Sequence, residues 1–130
     1  MGALLQTQLE EILATLDNTP FRPIIEEIYT VLGKIDDFQK TQLLTLLGEA
    51  KSTPTEYTVK HQHHAYHERG IGGASGSWYV LMKKNVPILT VGLIKSWETT
   101  RDDDADYKGP EIYDFTFGES PKLIEIRDHK

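Results

Sequence analysis

The chain has 130 residues, 38% of them hydrophobic and 26% charged, enough for one modest core under an ordinary soluble surface. No apolar run approaches membrane-spanning length, and without cysteine there are no disulfides, thiolate zinc sites or cysteine nucleophile. A net charge of −6 argues against nonspecific nucleic-acid binding by the whole chain.

The opening stretch MGALLQTQLEEIL lacks a basic segment ahead of its apolar residues and carries acids early, so no secretory signal is expected. Gln6 stands where a myristoylation motif wants Ser or Thr. The default expectation is a cytoplasmic protein with no membrane partner. Leu4, Leu5, Leu9, Ile12, Leu13 and Leu16 recur at helical spacing, and the helix they define ends by Asp17-Asn18-Thr19-Pro20. Pro23 suits the first turn of a second helix, whose stripe is Ile24, Ile25, Ile28, Val31 and Leu32 and which Gly33 can close. Asp36 with Gln39 reads as a capping box opening a third helix to about Ala50.

After Ser52-Thr53-Pro54 the period changes from 3.6 to 2. A strand starts at Glu56 to Lys60. Trp78–Lys83 and Val86–Ile94 are strands joined at Lys84-Asn85, Tyr113, Phe115 and Phe117 alternate along another, and Leu123 to Arg127 reads as a last strand. The expected class is α+β: about three N-terminal helices (1–50), then a mainly antiparallel sheet of four to five strands (55–130), in a single domain over 1–130. Lys51 to Thr55 is the candidate linker.

Between Lys60 and Trp78 the chain gathers four of its five histidines beside a glycine-rich run. Residues 60–95 also hold Lys60, Arg69, Lys83, Lys84 and Lys95 against one acid, Glu68, within an acidic protein. These cations are expected to form a positive patch on the sheet. On a strand continuing past Lys60, the odd positions His61, His63, Ala65, His67 and Arg69 share a face. The plain reading is an exposed polar edge strand. The sharper reading is acid–base chemistry, since paired imidazoles can act as base and acid near neutral pH and a guanidinium can stabilise an anionic phosphorus centre. RNA supplies its own 2′-hydroxyl nucleophile, so this chemistry needs no cofactor. His63, His67, Glu68 and Arg69 are the candidate catalytic residues, and Lys60, His61, Gly72, Gly73, Ser75 and Ser77 the candidate ligand-binding ones. In an extended strand His63 and His67 lie about 13 Å apart, so acting together requires a bend near Ala65 or a partner on a neighbouring strand.

Helices followed by an antiparallel sheet make an order similar to that of small microbial ribonucleases and ribonuclease toxins of the barnase and RelE kind. The resemblance is one of fold order, without a residue-by-residue motif, and implies a metal-independent endoribonuclease acting on RNA. A second resemblance is local. His61-x-His63 followed by Glu68 resembles the first cupin motif, which implies His61, His63 and Glu68 as ligands of a divalent transition metal. The second cupin motif is absent.

The run from Arg69 to Ser77 reads as a loop, either a flexible connection or a cradle of backbone amides for an anion. It lacks the Gly-Lys-Ser/Thr of a P-loop and precedes a strand, which a dinucleotide fingerprint does not. Asp102, Asp103, Asp104 and Asp106 fail the EF-hand pattern and read as a solvated acidic loop. The alternative class for the whole chain is a non-enzymatic acidic binding module, such as an immunity or regulatory protein, that covers a basic partner.

Overall fold

The computed structural model describes the backbone of residues 2–17, 19–68, 72–97 and 111–129; the side chains of residues 2, 3, 67, 68, 72, 96, 97 and 127–129 are not among those described. Three helices come first: α1 (Gly2–Leu16), α2 (Arg22–Val31) and α3 (Asp37–Ser52). Four strands follow, β1 (Tyr57–Glu68), β2 (Gly72–Lys83), β3 (Val86–Trp97) and β4 (Glu111–Thr116), and then a short helix, α4 (Pro121–His129). No helix among the described residues is long and apolar enough to cross a membrane.

Local chemistry accounts for the helices. Leu9, Leu13 and Leu16 form the buried stripe of α1, and Ile24, Ile25, Ile28 and Val31 that of α2. α3 opens on a complete capping box: the Gln39 N–H donates to the Asp36 carboxylate at 2.8 Å, and the Asp36 N–H donates to the Gln39 side-chain oxygen at 3.0 Å. Gly33 does not close α2 as expected. The chain tightens instead into a 3-10 turn over Leu32–Lys34, and Gly33 is not among the positive-φ glycines.

The strands pair in sequence order, β1-β2-β3-β4, every pair antiparallel. Lys84 and Asn85 make the β2–β3 turn with φ of 51° and 70°, the two left-handed residues of a type I′ turn, whose twist matches that of the strands. Period-two alternation gives the sheet two faces with separate cores. On one, Tyr57, Val59, Tyr79, Leu81, Leu89, Val91, Tyr113 and Phe115 pack against α1, α2 and α3. On the other, Trp78, Val80, Met82 and Ile94 pack against Leu123 and Ile126 of α4.

α4 corrects the expectation of a last strand over Leu123 to Arg127 and of helices confined to the first fifty residues. Pro121 can take the first helical position, where its missing N–H costs nothing, and the preceding Ser120 hydroxyl accepts from the Lys122 N–H at 3.1 Å. Leu123 and Ile126, three apart, then lie on one helical face over the sheet.

Candidate functional site

The three N-terminal helices cover only part of their sheet face. Near the β2–β3 turn, Tyr57, Leu81, Leu89 and Val91 are buried beneath them. Farther along the same face His61, His63, Ala65, Lys95 and Glu111 are exposed, and Ser75, Ser77, Tyr79, Leu93 and Tyr113 are half-buried. At the same level on the opposite face Gly76, Trp78, Gly92, Ile94 and Asp114 are all buried. At the level of Ser77 and Tyr79 the sheet is therefore closed on the reverse side and open on the helix side.

The open half-face has internal order. The His61 ring stacks on Tyr79, with centroids 4.6 Å apart and planes 27° from parallel, and its Nε2 shares a 2.7 Å hydrogen bond with the Ser77 hydroxyl. His63 stands directly across from Ser77. Lys34 reaches from the turn after α2 to lie 5.1 Å from the centre of the Tyr113 ring, a cation–π contact. Lys95 and Glu111 pair at 3.6 Å at the far end.

Glu27 of α2 faces this surface. Burial raises its carboxyl above the ordinary carboxylate value; the nearby His61 opposes the rise and Glu26 adds to it. Its side chain makes no ion pair with another described residue.

The structure brings together some of the residues singled out by sequence and separates others. His61, His63, Ser75 and Ser77 share the open half-face, and Gly73 lies on the same parity, opposite His67 in the register. Lys60 has the other parity and is exposed on the α4 side. β1 pairs with β2 without a register shift from Tyr57 to Glu68, so no bend at Ala65 brings positions 63 and 67 together. The side chains of His67 and Glu68, all of Arg69, and the acidic loop at Asp102, Asp103, Asp104 and Asp106 lie outside the described residues. Position 68 has the parity of Gln62 and His64, opposite to that of His61 and His63, which does not favour a shared metal. Among the described residues no group of three His, Asp or Glu side chains is arranged to hold a metal ion.

Two expectations about this segment are corrected. The glycine run is not a loop from Gly72 onward: Gly72 to Ser77 are the first half of β2, hydrogen-bonded between β1 and β3. Nor do Lys60, Lys83, Lys84 and Lys95, the described cations of the expected patch, form one. Lys83 and Lys84 sit at the β2–β3 turn, with Lys83 5.6 Å from the centre of the Tyr57 ring, while Lys95 is at the far end beside Glu111 and Lys60 is on the other face.

The strand glycines serve a residue that the sequence reading passed over. The Trp78 indole lies flat across its own sheet face. A Cβ at Gly76 would come within 2.0 Å of the ring, and one at Gly92 within 2.5 Å. The indole N–H donates to Asp114 at 3.0 Å, Thr116 donates to the same carboxylate at 3.0 Å, and Ser120, just ahead of α4, also donates to it. Asp114 is only 7% exposed, so this network places a carboxylate in the sheet–α4 seam and ties the helix start to the strand. The available signal was a lone acid alternating with Tyr113, Phe115 and Phe117, on the face opposite those aromatics.

Taken together, these features define an α+β chain whose described residues form one sheet between a layer of three helices and a short fourth helix. No protein-family model matches it, nor does any curated protein or solved structure.

Proposed function

We propose that the chain is a non-enzymatic binding module that lays the open half of its helix-side sheet face against a basic protein partner. The observation that carries this reading is the half-covered face, where Tyr79, Tyr113, Leu93, Ser75 and Ser77 stay half-buried while Gly76, Trp78, Gly92 and Asp114, on the reverse side beside them, are buried. Tyrosine and serine with small apolar neighbours give contact area and hydrogen bonding at low entropic loss. Glu27 supports the sign of the partner's charge. Its carboxylate is disfavoured by burial and has no ion pair among the described residues, so an arginine or lysine brought by the partner relieves it. The net charge of −6 acts in the same direction at longer range by steering basic molecules inward.

RNA cleavage, the other use of the histidines, has less behind it. The four described lysines of residues 60–95 are spread over two faces and both ends of the sheet, which leaves little focused attraction for a phosphate backbone.

Fluorescence anisotropy with a labelled arginine-rich peptide, and a gel of RNA incubated with the protein in EDTA, separate these readings. Saturable peptide binding that falls severalfold in Glu27→Gln, but not in the equally charge-depleted Glu49→Gln on remote α3, is the expected result, with RNA left intact. Equal loss in both variants, or RNA cleavage abolished by His63→Ala, overturns the proposal.

A further inference from the structure

The face that α4 covers holds a second opening, independent of the first. Beside the contact of Leu123 and Ile126 with Trp78 and Ile94 lies a cavity of 730 Å³. Its sheet side is apolar: Ala74 of β2, Ile94 of β3 and Ile112 of β4. Among the described residues Ile126 of α4 and Tyr66 of β1 also line it, and Lys122 and Glu125 stand at it from α4. The cavity has an evident origin in the sequence. Trp78 fills the space above Gly76, but the next residue of that parity, Ala74, has only a methyl group. Ile112 accordingly remains 39% exposed.

The volume falls in the range of small-molecule sites, and a mainly apolar lining with a few polar groups is their usual composition. The head of the ligand is set by Lys122 and Glu125. Both are exposed, they are not within ion-pair distance of each other, and neither pairs with another described residue. An anionic head gains Lys122 but meets Glu125, and a cationic head does the reverse. A head with both charges satisfies both. We propose that the cavity binds a single-chain zwitterionic amphiphile, its tail over Ala74, Ile94 and Ile112 and its two charges toward Lys122 and Glu125.

The test is calorimetric titration of the full chain with four probes sharing a decyl tail, each kept below its micelle concentration: a sulfobetaine, decanoate, decylammonium and a decyl glucoside. The sulfobetaine is expected to bind one to one and severalfold more tightly than the other three. Lys122→Gln should move the preference toward decylammonium, and Glu125→Gln toward decanoate. Ala74→Leu should abolish binding by filling the cavity. Should that variant fail to fold, Ile112→Glu, at a partly exposed position, puts a charge against the tail and should do the same. Absence of saturable binding, equal affinity for all four heads, or binding untouched by the folded cavity variant overturns the proposal. None of these outcomes bears on the basic-partner reading, which concerns the opposite face.

Discussion

At Glu27 a single carboxyl links folding to binding. Its raised value comes first from burial, so the charged form is what the folded state disfavours. Its contribution to stability is then fully present below its unfolded pKa and is lost as pH rises through the folded one. Glu27→Gln is therefore expected to raise the melting temperature above the carboxylate range and leave it nearly unchanged below. Thermal melts across that range check the sign, and a lower melting temperature for the variant at neutral pH contradicts it. The same residue that opposes folding is the one proposed to meet the partner's cation. Asp114 works in the other direction. It accepts from Trp78, Thr116 and Ser120, and its removal leaves the buried Trp78 and Ser120 donors without this partner. Asp114→Ala should cost about 1–3 kcal/mol for each buried donor left unpaired. Asp114→Asn, which keeps an acceptor oxygen, should cost less. Urea unfolding of the two variants measures the difference, and equal losses would argue that packing, not hydrogen bonding, holds the seam.

Among the elements, those written in nearest-neighbour chemistry were legible from sequence. The leucine and isoleucine stripes, the Asp36–Gln39 box and the Lys84-Asn85 turn each depend on residues a few positions apart. What escaped depends on partners far along the chain. The glycines near Trp78 look like a loop because glycine is the usual loop residue, yet Gly76 and Gly92 are required by a ring lying across two adjacent strands. Leu123, Ile124 and Ile126 fit either a strand or a helix at that length, and Pro121 with Ser120 decided for the helix. The lysines were expected to converge, but strand parity and register, invisible in a charge count, send them to different faces and ends. The glycines give predictions of opposite sign. Gly76→Ala and Gly92→Ala should each destabilise on the order of 1–3 kcal/mol by displacing the indole, with a changed near-ultraviolet circular dichroism. Gly48 lies inside α3 with open space where a Cβ would stand, so Gly48→Ala should stabilise by about 0.5–1 kcal/mol. Denaturant midpoints for the three variants check all of this, and loss of stability at Gly48 or its absence at Gly76 would contradict the packing described.

For the whole molecule the decisive property is unequal coverage of one sheet. The helix-side core ends at Tyr79 and Tyr113, which are only half-buried, and the strands run on past it. β1 adds twelve residues at the edge of the sheet, next to that open face. On the reverse, Leu123 and Ile126 of α4 pack against Trp78, Val80, Met82 and Ile94, and cover that face only in part. An open, partly aromatic surface bordered by Glu27, a carboxylate without an ion pair among the described residues, is what the binding proposal rests on. His61, His63, Ser75 and Ser77, singled out by sequence, do share this surface, while the described lysines of residues 60–95 do not form the expected positive patch on it. The most direct test is a two-dimensional amide NMR titration with the arginine-rich peptide. Perturbations confined to 61–65, 75–79, Leu93, Tyr113 and the end of α2 at Glu27, with α4 silent, are the predicted result. Perturbations gathered on the outer faces of α1 and α3, with the open half-face silent, would contradict it.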